Sequence, residues 1–195
     1  MNNSLIRTKI YKEIESIKPF DEIEITDKSR TLEWIKEGAK IFRTKAPNIP
    51  PKHLVVYFVL IDTDSVLLVN HIAAQLWLPP GGHVEPNEHP LLSVRRECLE
   101  ELNIEAEFLV EEPVLITDTE TVGTTVKHTD VCLWYLLKGS KKQHLDYDQK
   151  EFIEVKWFKV DKLPLENCNP NLERLILKLK NNGLLKLQKQ DNQQL

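Results

Sequence analysis

Four isoleucines near the start of the chain, Ile6, Ile10, Ile14 and Ile17, recur every three or four residues. That spacing is the period of one apolar helical face, and Pro19 ends it. Asp21 followed by Glu24 is a capping-box pattern, predicting a second helix that carries Trp34 and Ile35 and stops near Gly38. Residues 47–51 hold three prolines and read as a stiff linker. Beyond them the pattern becomes strand-like over 53–61, 66–71, 105–110, 114–119, 127–137 and 152–158. The first of these is almost wholly apolar, as a strand buried on both faces must be. Asp62, Thr63 and Asp64 predict a hairpin turn into the second. Helical spacing returns over 88–102 and again over 170–182. In the latter Leu172, Leu175, Ile176 and Leu179 face inward and Gly183 acts as the stop. Residues 188–195 are polar and are expected to be disordered. Strands interleaved with helices predict an α/β fold with a mixed sheet.

The segment from Gly81 to Ile104 carries the chemistry. Gly82, Glu88, Arg96, Glu97, Glu100 and Glu101 follow the spacing G-x5-E-x7-R-E-x-x-E-E. At roughly one in fifteen per position, a given start matches about once in ten million. Pro79, Pro80, Gly81 and Gly82 interrupt regular structure, and paired glycines allow close approach of backbone to a ligand. On the helix that follows, Leu91, Leu92, Val94, Cys98, Leu99 and Leu102 are expected to share one broad apolar face. Glu97, Glu100 and Glu101 are expected opposite, beside the small Ser93. Like charges at i,i+3 and i,i+4 destabilise a helix by a few tenths of a kcal/mol per pair. Their clustering makes sense around a divalent cation, and carboxylate oxygens suit Mg²⁺ or Mn²⁺. An acidic helix face is ordinarily just a solvated face; the glycine pair, Glu88 and Arg96 at their offsets favour the metal-site reading.

This segment resembles the Nudix box, the signature of hydrolases acting on nucleoside diphosphates linked to another group. The resemblance implies a Nudix α/β/α sandwich over residues 47–187, behind an N-terminal helical extension of residues 1–46. It implies metal-binding and base-providing roles for Glu97, Glu100 and Glu101, with a backbone carbonyl of Gly81 as a further ligand. Glu88 and Arg96 would fix loop against helix and orient Glu97. Asn103 stands where the box has glycine; Asn tolerates the left-handed helix end best after glycine. Cys98 replaces a large aliphatic and reads as a small buried hydrophobe. LWLPPGGH ahead of the box and EFIEVKWFKVDKLP near the end also look like Nudix surroundings. From the latter region Glu151, or Asp148, could approach the metals. His83 and His128 are candidates for the substrate pocket, and Trp77 for stacking on a base. Each has a plainer reading as a half-buried or packing residue, as do Trp34 and Phe42 of the extension.

Composition narrows the field. The chain has 195 residues and a net charge of −4, which gives no hint of a general nucleic-acid surface. Three cysteines without metal-site spacing suggest a reduced, cytoplasmic setting. The longest apolar run, 54–61, is too short to span a bilayer. Markers of several Nudix subgroups are missing: the proline of ADP-ribose pyrophosphatases gives way to Asp118, Thr119 and Glu120, and no tyrosine of the dinucleoside-polyphosphate type stands there. The reading is a MutT-like hydrolase of a small nucleotide, possible as a homodimer. Two other classes stay open. One is a non-hydrolytic Nudix-fold nucleotide-binding or regulatory module. The other is an isomerase, which would need a cysteine and a glutamate across an apolar pocket and a histidine-rich metal site.

Overall fold

The computed structural model describes residues 3–45, 49–123 and 127–185. The polar tail and part of the proline-rich linker lie outside the described residues. Two helices, α1 (Asn3–Ser16) and α2 (Glu22–Lys36), precede strands β1 (Lys52–Asp62), β2 (Ser65–His71), β3 (Leu76–Leu78) and β4 (Gly81–His83). Helix α3 (Pro90–Leu102), strands β5 (Phe108–Glu120), β6 (Thr129–Lys138) and β7 (Phe152–Lys159), and helix α4 (Asn171–Asn181) follow. The sheet is mixed, in the order β3-β2-β1-β6-β5, with β4 added to β1 and β7 to β2. β1 runs parallel to β6 and antiparallel to β2 and β4.

β1 explains the layers. Its side chains alternate across the pleat, so Leu54, Val56, Phe58 and Leu60 join a core with Val94, Cys98 and Leu102 of α3. Val55, Val59 and Ile61 join a second core with Leu172, Leu175, Ile176 and Leu179 of α4. The sheet is therefore sandwiched between helices. Ile6, Ile10, Ile14 and Ile35 of the N-terminal helices, with Ile17 just past α1, belong to the α3-side core.

Polar contacts bind the extension as well. Asp21 caps α2 by accepting from the Glu24 amide at 2.7 Å and receives both arms of Arg174, at 2.7 and 2.9 Å. Glu24, fully buried, accepts from Lys178 Nζ at 2.7 Å and from the Phe20 amide at 2.7 Å. It also meets the Ile116 amide of edge strand β5 at 3.4 Å. A carboxylate thus satisfies a strand edge that would otherwise be open.

Some expectations change. The expected segments 105–110 and 114–119 give way to one strand, β5, which starts at Phe108, leaves 105–107 outside it and carries register shifts that absorb its irregularity. The triplets of β3 and β4 are strands too short for a period-2 signal. On α3 the buried face is rotated: Ser93, Glu97 and Glu101 are buried with Val94, Cys98 and Leu102, whereas Leu92 and Leu99 are 48% and 53% exposed. The glycine strand packs against the carboxylate side, so the acids go in and two leucines come out. Asn103 does take the left-handed cap, at φ 52°, and its amide reaches the Leu99 carbonyl.

Candidate active site

The glycine pair is a strand, not an open turn. Gly81 and Gly82 pair with Tyr57 and Val56 of β1 while the other side of β4 meets α3. At Gly81, φ is 153° and a Cβ would overlap the Val56 carbonyl. At Gly82 a Cβ would fall on the Glu97 carboxylate. The paired glycines let a helix bearing acids lie directly on backbone.

Arg96 organises that helix end. Its Nε and Nη2 hold Glu88 at 3.1 and 3.0 Å, and Nη2 also donates to the His83 carbonyl at 2.9 Å. Nη1 donates to Glu97 at 2.7 Å and to Glu100 at 3.0 Å. Ser93 donates to Glu88 at 2.6 Å. Burial tends to raise the Glu88 carboxyl, but hydrogen bonds from Arg96 and Ser93 bring it below its usual value. The arginine thus ties loop to helix through charge-assisted bonds.

The three box acids differ in environment. Burial pushes Glu97 up to about 7, against the pull of Arg96 and with help from Glu100 and Glu151. Glu101 is also raised well above its usual value, first by burial and then by Glu97 and Glu151. Its Oε2 accepts from the Gly81 amide at 2.9 Å. The Glu100 side chain is 59% exposed. Burial and mutual repulsion thus disfavour charge on Glu97 and Glu101, and a hard divalent cation is the partner whose charge would hold both as carboxylates.

A cavity of about 500 Å³ opens beside them, lined by Glu101, Gly81, Gly82, His83, His128 and Glu151 among others. Glu151 faces this space and acts electrostatically on both buried acids, whereas Asp148 meets the Glu101 carbonyl through its backbone amide. Burial, with repulsion from Arg43, lowers His83 to about 3, which keeps its imidazole neutral. Trp77 is not brought to this group. It lies against Phe158 with ring centroids 4.8 Å apart, on the α4 side of the sheet. Phe42 is buried in the core, and Trp34 packs against that core under Lys52. Sequence reasoning overlooked His53 and the role of Asp130. His53, the second residue of β1, pairs in register with Asp130 of β6; only the parallel pairing of strands distant in sequence brings them to His83 and His128.

A mixed sheet between helices, with a glycine strand seated on a helix of clustered glutamates held by an Arg–Glu clamp, defines a Nudix-type architecture. The chain belongs to the NUDIX domain family, whose pattern it matches over residues 51–179. It is 36% identical over 73 residues to the m7GpppN-mRNA hydrolase NUDT17 of Bos taurus, a match covering 32% of this chain and 24% of that one. The chain thus spans about a quarter of that relative's length. The fold is similar to a MutT NUDIX hydrolase from Burkholderia pseudomallei, with a TM-score of 0.53 and 21% identity over 66% of this chain and 98% of that one. It is similar also to a MutT protein from Methanosarcina mazei Go1, with a TM-score of 0.54 and 20% identity over 68% and 96% of the two chains. At such identities the solved structures speak for the fold alone. Among the described residues no helix is long and apolar enough to cross a membrane.

Proposed function

We propose that this protein is a divalent-metal-dependent hydrolase that cleaves a diphosphate linkage in a nucleoside di- or triphosphate, or in a nucleoside diphosphate derivative, by attack of water at phosphorus. The observation that carries this reading is the buried Glu97–Glu101 pair, set on a glycine strand at the wall of a nucleotide-sized cavity. Glu97, Glu100 and Glu101, with the Gly81 carbonyl, would hold Mg²⁺ or Mn²⁺. Such an ion, when bound, lowers the pKa of water and covers the charge of the diphosphate. Arg96 holds Glu97 and Glu100 in place and, through Glu88 and the His83 carbonyl, fixes the loop against the helix. One box carboxylate takes the proton from the attacking water. His83 and His128 meet the phosphate end of the substrate. Products are a nucleoside monophosphate and the other phosphorylated fragment, or pyrophosphate from a triphosphate.

The test is turnover of a nucleotide panel with and without Mg²⁺, including an m7GpppN cap analogue because that is the substrate named for the bovine relative. Glu101→Gln is expected to lower kcat by at least a hundredfold with the fold intact by circular dichroism. Turnover that is indifferent to metal, or a Glu101→Gln enzyme near the wild-type rate, would overturn the reading.

A further inference from the structure

On the wall of the same cavity three imidazoles converge. His53, His83 and His128 each offer a ring nitrogen, and these atoms lie within 4.8 Å of one another. The rings of His53 and His128 stack at 4.9 Å, and those of His53 and His83 are 5.0 Å apart. They come from three neighbouring strands. His83 ends β4 opposite Val55, His53 is the second residue of β1, and His128 directly precedes β6. Asp130, paired with His53 across β1 and β6, adds a carboxylate: its Oδ1 is 2.9 Å from His128 Nε2 and 3.8 Å from His53 Nε2.

Two of the ring nitrogens facing this point are unsatisfied. His53 is fully buried, and its Nδ1 donates to the Pro50 carbonyl at 2.8 Å. That bond fixes the tautomer and turns the Nε2 lone pair toward the cluster, as the outer partner of a metal-ligating histidine does. His53 Nε2 and His83 Nε2 are buried without a hydrogen-bond partner. His128 Nε2 and Asp130 Oδ1 pair with each other at 2.9 Å, through a proton that a metal ion would displace. Buried polar atoms are nearly always paired, so two orphaned imidazole nitrogens beside that pair call for an occupant.

We propose that His53, His83, His128 and Asp130 form a second metal site, distinct from the glutamate cluster, for a first-row transition ion of the Zn²⁺ class. Three imidazoles and one carboxylate suit such an ion in tetrahedral geometry and are a poor set for Mg²⁺. At a metal–nitrogen distance of about 2.0–2.1 Å, ligand atoms sit roughly 3.3 Å apart. Binding would draw the nitrogens inward from their present spread of up to 4.8 Å. Among the described residues lining this cavity there is no cysteine, so the histidines do not complete an isomerase site. The position beside Gly82 places the ion where it meets a phosphate oxygen of the substrate; that role rests on the hydrolase reading, whereas the site itself does not.

The test uses the metal-stripped full chain titrated with Co²⁺ in excess Mg²⁺, which fills the glutamate cluster and leaves nitrogen sites to cobalt. One equivalent is expected to give intense visible absorption bands typical of tetrahedral nitrogen-ligated Co²⁺. Glu97→Gln and Glu101→Gln should keep those bands, whereas His83→Asn and His128→Asn should weaken Co²⁺ binding at least tenfold. X-ray absorption at the zinc edge of the wild-type protein, loaded with one equivalent of Zn²⁺, should show imidazole scattering and needs no folded variant. The proposal is overturned by a pale octahedral spectrum, by bands that survive both histidine changes, by bands lost in the glutamine variants instead, or by a zinc edge without imidazole. Hydrolysis is judged separately by Mg²⁺-dependent turnover, so either reading can fail without the other.

Discussion

Replacing Gly82 with alanine adds a single methyl group, and the structure says where it goes. Gly82 does not have the left-handed backbone that excludes side chains, so the strand itself tolerates alanine. The new Cβ falls on the Glu97 carboxylate. Restoring an ordinary contact requires that carboxylate to retreat by about 1 Å, and misplacement on that scale costs about a hundredfold in rate. That is about 2.7 kcal/mol of transition-state stabilisation. Stability should change much less. Glu97 gives up its 2.7 Å bond to Arg96, worth about 1.5–3 kcal/mol. The same movement relieves the burial that pushes its carboxyl up to about 7. The two effects oppose, leaving a net change within about 1 kcal/mol. The assay is kcat/KM in Mg²⁺ on whichever nucleotide the wild type prefers, with Tm from thermal melts alongside. A variant within threefold of wild-type kcat/KM at unchanged Tm would show that the placement of Glu97 against β4 does not matter to the chemistry.

Gly81→Ala should behave differently: its Cβ meets the β1 backbone at Val56 and its φ is unfavourable, so a lowered Tm is expected together with any loss of rate. Lys178→Met leaves the fully buried Glu24 carboxylate without its cation and should cost about 3–5 kcal/mol in urea unfolding. The same change in a Glu24→Gln background, where no charge is stranded, should cost only about 1 kcal/mol; equal costs in both backgrounds would refute the pairing. Burial raises Glu13 to about 7, opposed by the hydrogen bond from Tyr135 and aided by Glu112, with His89 Nε2 at 3.3 Å. Because the folded value lies above the unfolded one, its contribution is full below about pH 4.5 and is lost as pH rises through 7. The stability difference between wild type and Glu13→Gln should therefore fall by about 3 kcal/mol from pH 4.5 to 8, and a flat difference would refute the shift. Trp77→Ala, which opens the contact with Phe158, should lower stability by roughly 2–3 kcal/mol and leave KM within twofold; a large rise in KM would restore Trp77 to the substrate.

Local patterns carried much of the architecture. The isoleucine spacing of α1, the Asp21 cap of α2, the Asp62–Asp64 hairpin and the left-handed Asn103 depend on residues within a turn or two, so periodicity and turn chemistry sufficed for them. The box spacing likewise fixed which acids share the end of α3 with the glycine pair. What a linear pattern cannot hold is burial that depends on partners distant in sequence. Leu92 and Leu99 read as core, yet they face outward because β4 claims the acidic side of α3. Trp77 borders the glycine loop in sequence, but the pleat of β3 turns it toward Phe158 and α4. His53 gave no signal at the head of an apolar strand; it joins His83, His128 and Asp130 only because β1 lies between β4 and β6 in register. Helix and turn chemistry are settled by neighbours a few residues away. Which face is buried, and which polar atoms share a point in space, is settled by strand pairing.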